Sequence, residues 1–407
     1  TLLHLDGSAD ALPAVGADVL ADGKVVVSST SRLLARLTAA GALDAAFGTA
    51  GVQQETEPSL LSYSTLLPGG DGTIMAIASR YLYAPQYTTD AALVRYTATG
   101  TRDGSFGASG IASANLFTMS LDARAVAIGP TGKVHVAGTL SDAHDIDAAV
   151  VRLTPGGAVD GFGAAGVAAV ALGATDEIAN ALVVLGDGSV VLAGRSVNGG
   201  TGSFLLSKFT DSGQPVGSFG NIGKRIHTMG IGYAEAFALA QQPDGKFVSA
   251  GYAVVGAGNN DFAIARYDAN GHLDATFGTD GVVVTPFGAL SDVAQAVAVP
   301  PDGKIVAAGF TRIGSLFDNA VGRYNADGSL DATFGTGGKA VIPASASNDQ
   351  GAAVALTRDG RILVAGFALS GANENIAVVR LTAAGALDTT FGTNGVVRVD
   401  YGVAVDE

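Results

Sequence analysis

Arg266-Tyr267-Asp268-Ala269-Asn270-Gly271-His272-Leu273-Asp274-Ala275-Thr276-Phe277-Gly278 is the stretch on which the reading turns, because it recurs in variant form seven times. Arg36, Arg95, Arg152, Lys208, Arg266, Arg323 and Arg380 open the copies. Phe47, Phe106, Phe162, Phe219, Phe277, Phe334 and Phe391 close them, each followed by Gly. The spacing is 56 to 59 residues. A fixed period of that size marks a repeat architecture, in which each copy buries its apolar face against the next. Residues that return in every copy are scaffold first.

Outward from this stretch, each copy reads as strands. In the sixth, residues 294–299 predict a first strand and Pro300-Pro301-Asp302-Gly303 a tight turn, with Asp-Gly supplying its left-handed positions. Residues 304–310 predict a second strand, 311–318 a loop, 319–324 a third strand and 339–342 a fourth. Between the last two lies a compact loop or short helical turn. The hairpin turn returns as Asp22-Gly23, Asp71-Gly72, Thr131-Gly132, Asp187-Gly188, Asp244-Gly245, Asp302-Gly303 and Asp359-Gly360. No copy carries a helical period of about ten residues. The expectation is all-β: a seven-bladed β-propeller with four antiparallel strands per blade, residues 1–407 forming one domain. A sandwich or a solenoid is the competing all-β reading. Solenoid repeats are shorter, and sandwiches have no need of seven equal units.

The motifs Gln242-Pro243-Asp244-Gly245-Lys246, Asp261-Phe262-Ala263-Ile264-Ala265-Arg266-Tyr267 and the run 387–397 (Leu-Asp-Thr-Thr-Phe-Gly-Thr-Asn-Gly-Val-Val) resemble those of the bacterial delta-60 repeat β-propellers. The Asp-Gly turns are more distantly similar to NHL-type propellers. The resemblance covers essentially the whole chain. It implies the fold, a bacterial source and export, hence an extracellular, cell-surface or periplasmic place with any signal removed or absent. That family carries no agreed activity, so the resemblance implies no catalytic residue. Repeat 1 departs in its nearly absent loop (Ser28 to Arg32), and repeat 4 in Lys208 and in Pro215-Val216-Gly217-Ser218-Phe219-Gly220, which lacks the Asp. The N- and C-terminal segments are expected to meet in the closing blade, since 1–6 and 396–400 both resemble a fourth strand.

Composition narrows the partners. The chain is 48% hydrophobic and 15% charged, enough to bury a core, and its net charge is −14. Binding nucleic acid or an anionic membrane needs clustered Lys and Arg, and the 23 basic residues are spread over the repeats, one in each at a fixed strand position. Cations and neutral polar ligands remain. With no cysteine there is no disulfide, thiolate zinc site or Cys nucleophile. No run approaches the 18 to 20 apolar residues of a membrane helix. No cofactor is expected; a divalent cation such as calcium is the ion an acidic loop could hold.

The repeated charges read as a clamp. Arg36, Arg95, Arg152, Arg266, Arg323 and Arg380 each have an Asp eight residues on: Asp44, Asp103, Asp160, Asp274, Asp331 and Asp388. A guanidinium–carboxylate contact would tie the third strand to the following loop. Five residues before the Arg stands Asp90, Asp147, Asp261, Asp318 or Asn375.

A site should sit where the copies disagree. Three such features are expected on the face formed by the second-to-third loops and the starts of the first strands. Ser64, Arg124, Asn180, Glu235 and Gln295, with Ala352 in repeat 7, align near the start of the innermost strand and would ring the channel mouth. Few convergent polar groups are what a ligand pocket uses. Tyr81, Tyr83 and Tyr87 crowd the loop from Arg80 to Asp90 and offer contact area with polar tips. Asp142, His144, Asp145 and Asp147 are weak metal candidates, lacking the spacing of a calcium loop.

Catalytic motifs are missing: His4, His135, His144, His227 and His272 are scattered, and no nucleophile elbow, His-Glu-x-x-His or P-loop occurs. His135 reads as a packed strand residue. Glu235 is the first catalytic suspect. The leading expectation is a non-catalytic recognition or scaffold propeller binding a protein or glycan through its variable face. The alternatives are a hydrolase or lyase on a polar or glycan substrate at the channel mouth, and a subunit of a larger surface or secreted assembly. A deep mouth with a carboxyl of raised pKa favours the enzyme, and an alanine-lined channel favours the module.

Overall fold

The computed structural model describes residues 16–29, 32–82, 88–113, 120–141, 146–170, 176–229, 232–256, 259–370 and 373–399. These form seven four-stranded antiparallel sheets. Blade 1 spans Ala17–Gln54, blade 2 Leu60–Ser113, blade 3 Ser120–Val170, blade 4 Asp176–His227, blade 5 Ala234–Thr285, blade 6 Asp292–Ile342 and blade 7 Asp349–Val399. Within each, the strands pair in chain order. The first strands neighbour one another around the axis, blade 7 returning to blade 1, so they line the channel. The molecule is a seven-bladed β-propeller.

Blade 6 shows where the strand reading needed correction. Its strands are Asp292–Ala298, Ile305–Ile313, Leu316–Tyr324 and Lys339–Ile342. The expected loop over 311–318 is a continuation of the hairpin, paired out to Ile313 and Leu316. Ladder pairing satisfies backbone groups that a loop would leave to water. For the same reason the tyrosine loop is shorter than expected. Arg80, Tyr81 and Leu82 end a second strand, and Thr88–Asp90 begin the third. Blade 1 has the shortest central hairpin, Val25–Ser28 against Leu33–Leu37, in keeping with its missing loop.

The repeated segment is the joint between blades. Each repeat Phe is at most 2% exposed. Phe47, for example, packs among Val26 and Leu34 of blade 1 and Ile74 and Val94 of blade 2. Above it lies the arginine, with the Arg266 guanidinium 4.6 Å from the Phe277 ring centroid. Arg266 Nε donates to Asp274 Oδ2 at 2.9 Å, and its Nη1 donates to the Ala326 carbonyl of blade 6. The clamp therefore ties strand to loop and blade to blade. The backbone repeats that link one residue along: Gly278 N–H donates to the Asp327 carbonyl at 2.8 Å. Gly278 sits at φ 53°, where a Cβ would lie 2.3 Å from the Val282 carbonyl, so the position admits only glycine.

The basic residue after the Asp-Gly turn joins the same carboxylate, as in Lys304 Nζ to Asp331 Oδ2 at 2.6 Å. Lys304, Thr333 and Arg323 together hold the Asp331 carboxyl well below the usual carboxylate range. The ring closes by this device. Arg380 of blade 7 donates to the Ala39 carbonyl of blade 1, and Gly392 N–H to the Ala40 carbonyl at 3.0 Å. Leu363, Val378 and Phe391 pack with Val25, Val27 and Leu37 behind it. Val396–Val399 is the fourth strand of blade 7. The other segment expected in the closing blade, residues 1–6, lies outside the described residues.

Candidate functional site

In six blades one residue of the first strand bulges out of register with the second: Ser64, Arg124, Asn180, Phe237, Gln295 and Ala352. A bulge sets two residues against one and re-aims the extra side chain. Beside five of them stands a second-strand glycine, at 138, 194, 251, 309 and 366, where a Cβ would come within 1.8 to 2.1 Å of a first-strand carbonyl. The ring read from sequence is thus a ring of bulges, with one correction. In blade 5 the bulge holds Phe237, because Ala236 pairs with Gly251, and Glu235 stands two residues earlier.

Arg124, Asn180 and Glu235 nonetheless meet across blades 3, 4 and 5. Arg124 Nη1 donates to Asn180 Oδ1 at 2.7 Å, and Asn180 Nδ2 donates to Glu235 Oε1 at 2.9 Å and to the Ala236 carbonyl at 2.8 Å. At the exposed end, Arg124 Nη2 donates to Asp122 Oδ2 at 3.0 Å. At the buried end, Arg195 Nη1 donates to Glu235 Oε2 at 2.6 Å. Glu235 is 1% exposed, whereas the side chain of Asp122 is 43% exposed. Burial works against the Arg195 charge, but the Glu235 carboxylate outweighs it and raises the Arg195 pKa.

An aromatic wall flanks this run. The Arg195 guanidinium lies 5.5 Å from the Tyr233 ring centroid. Tyr252 stacks on Tyr233 at 6.3 Å and on Phe237 at 5.8 Å. Tyr233 and Phe237 are half-buried, so ring surface remains open beside the polar run. Elsewhere the first strands are rich in half-buried alanine, including Ala125, Ala238, Ala296 and Ala353.

The other sequence candidates do not join this cluster. Gln295 is half-buried in the bulge of blade 6, its Nε2 buried without a hydrogen-bond partner. Ser64 is placed by its backbone in the bulge of blade 2, and Tyr81 by its backbone opposite Thr89. Tyr83, Tyr87, Asp142, His144 and Asp145 lie outside the described residues. Asp147 stands on the third strand of blade 3, opposite Leu140. Among the described residues, no three His, Cys, Asp or Glu side chains are grouped to hold a metal ion. His135 is 2% exposed, edge-on to Phe162 with centroids 6.0 Å apart, and burial pushes its pKa down to about 4. It is a neutral, packed strand histidine.

Carboxyls of raised pKa occur on third strands and also on first strands, where burial raises Asp18, Asp292 and Asp349. Burial and the neighbouring charge of Asp292 push Asp261, on a third strand, up to about 6. Asp318 is raised in the same way by burial and by Asp349. Asp292 itself caps the preceding loop, accepting from Phe287 N–H at 2.6 Å and from the Thr311 hydroxyl at 2.5 Å.

Sequence reasoning missed Arg195, Tyr233, Phe237 and Tyr252. Two of them had a signal: the residue after the second-strand glycine is Thr139, Arg195, Tyr252, Phe310 or Phe367, a position as variable as the bulge.

Residues 20–47, 242–277, 301–334 and 357–391, about a third of the chain, match a family model described as "Domain of unknown function (DUF5122) beta-propeller". Each matched segment runs from a hairpin turn to a clamp Phe, so what is shared is the joint and not the bulge ring. No curated protein matches. Among solved structures, Semaphorin 2a of Drosophila aligns with a TM-score of 0.50 and 8% identity over 87% of this chain and 72% of its own. An ulvan lyase of polysaccharide lyase family PL25 aligns at 0.48 with 11% identity, over 90% and 92%. A protein of unknown function from Dyadobacter fermentans aligns at 0.41 with 13% identity, over 91% and 94%. These are similarities of fold.

Proposed function

We propose that this chain is a non-catalytic recognition propeller of an exported bacterial protein, holding a protein or glycan on its loop face at blades 3 to 5. One observation carries the reading. At the positions where the repeat lapses, Asp122, Arg124, Asn180, Glu235 and Arg195 form one continuous hydrogen-bonded run beside an open aromatic wall. Its buried end is locked, which fixes the direction of the half-buried Arg124 and the more exposed Asp122. Fixed donors, fixed acceptors and a ring face are the usual furniture of a polar-ligand site. In this reading Glu235 is an anchor and not an acid, since both its oxygens are engaged and it is out of solvent.

The test is a glycan array and an affinity capture from a bacterial lysate, run with the wild-type chain and with Arg124→Ala and Phe237→Ala. A ligand retained by the wild type and weakened tenfold or more by both substitutions supports the assignment. Ligands that bind both variants as tightly as the wild type place the recognition surface elsewhere.

A further inference from the structure

A cavity of about 1320 Å³ opens on the opposite, turn face, around the first hairpin of blade 1. Its walls are the hairpin turns of blades 7, 1 and 2. The sequence explains the space. The turn of blade 2 is Pro68-Gly69-Gly70-Asp71-Gly72, and a Cβ on Gly70 would meet nothing within 4 Å. The neighbouring turn positions are Ala21, Ala39, Ala40 and Ala98. Side chains that could fill the gap are missing from consecutive blades.

Blade 7 puts cations there. Arg358 occupies a turn position held by Ala21, Gly70, Pro130, Gly186, Pro243 and Pro301 in the other blades. It is exposed and makes no ion pair or hydrogen bond among the described residues. Arg361 follows in the same turn, 3.0 Å from Asp388 Oδ2 and with 41% of its side chain exposed. The cavity also presents acceptors, namely Asp18, Asp22 with Lys24 beside it, and Asp359, which pairs with Arg361, and the hydroxyl-bearing Thr390. First strands run from the loop face to the turn face, and fourth strands run back. The described chain ends, Gly16 and Val399, therefore both lie on the loop face, away from this cavity.

We infer that this cavity binds a carboxylate-bearing saccharide of the uronate class, with Arg358 donating to the sugar carboxylate. Arg358 stands at the cavity with no protein counter-ion among the described residues and is free to donate to an anion. The three lining carboxylates decide its class. They accept from hydroxyl groups, which a sugar ring supplies beside its one carboxylate. A polyacidic peptide would bring more acceptors against them.

Calorimetric titration of the full chain with trigalacturonate tests this, with maltotriose and pentaglutamate as comparison probes. Trigalacturonate is expected to bind, maltotriose to give no heat, and Arg358→Ala to weaken binding tenfold or more at unchanged melting temperature. Arg124→Ala, on the other face, is expected to bind as the wild type does. No heat from trigalacturonate, undiminished binding by Arg358→Ala, or equal binding of pentaglutamate would overturn the assignment.

Discussion

The seam between blades 5 and 6 is held at the turn face, and the seam between blades 4 and 5 at the loop face. In the first, Arg266 grips Asp274 and reaches the Ala326 carbonyl of the next blade. In the second, Lys208 stands for the arginine and Val216 for the aspartate. The cation is 5.9 Å from the Phe219 centroid, and Gly220 N–H to the Asn270 carbonyl at 2.7 Å is the remaining backbone link. There the polar joint has moved across the sheet, to Glu235 of blade 5 held by Arg195 and Asn180 of blade 4. The two devices differ in kind. The clamp recurs around the ring, whereas the Glu235 joint is confined to blades 4 and 5; a comparable buried carboxylate, Glu55, follows blade 1 and is held by Arg102 and Tyr96 of blade 2. A buried joint at the place where the repeated one is given up marks a departure from pure scaffold.

Glu235→Ala should produce the largest effect. It leaves the Arg195 guanidinium, whose side chain is 27% exposed, and the half-buried Asn180 amide without their carboxylate partner. Breaking a buried pair by removing one partner costs about 3 kcal/mol or more. Denaturant unfolding should show that loss, together with loosening of Arg124 on the loop face. A loss no larger than that of Lys208→Ala would mean that the buried run does not hold the seam. Arg266→Ala comes next, at about 2 kcal/mol, for hydrogen bonds to a charged group and to a carbonyl of the next blade. Lys208→Ala, which removes no such bond, should stay within about 0.5 kcal/mol. Equal melting temperatures for the last two variants would show that the guanidinium is no staple.

The contrast also explains what could be read from the sequence. Arg, Phe-Gly and Asp-Gly are each demanded by a backbone conformation or a contact made in every blade, so they recur and announce the fold. Arg124 and Asn180 were legible because they interrupt an alanine-rich strand at a countable distance from the hairpin turn. Glu235 was found two residues from its assumed place, because its alignment needed an insertion in repeat 5 that the strand does not have; seven residues before Asp244, as in the other blades, stands Phe237. Arg195 and Tyr252 escaped because they match Phe310, read as the ordinary end of a second strand, and nothing local shows that this end borders the polar run. The turn-face cavity escaped for another reason. It is made by missing side chains on two blades, and absence at Gly69, Gly70 and Ala21 carries no signal until those blades are set side by side.

The finest test rebuilds the absent clamp. Val216 N–H already donates to the Lys208 carbonyl at 2.9 Å, as Asp274 N–H does to that of Arg266. The Asn270 carbonyl already receives Gly220, so by the pattern of the other blades the Ala269 carbonyl is the acceptor that an arginine at 208 would reach. Lys208→Arg with Val216→Asp should therefore stabilise the chain by about 1 kcal/mol, the net worth of a half-exposed charge-assisted pair. Val216→Asp alone should destabilise it, since a carboxylate is placed without its fork. The gain must be non-additive, and a double-mutant cycle isolates it as a coupling energy. If the double variant is merely the sum of its parts, the backbone of blade 4 no longer presents the clamp geometry, and the seam has diverged in more than two side chains. If coupling appears and loop-face ligand binding is unchanged, the clamp and the Glu235 joint are independent supports. If coupling appears and binding weakens, the looser turn face of blade 4 is what lets the loop-face site take its shape.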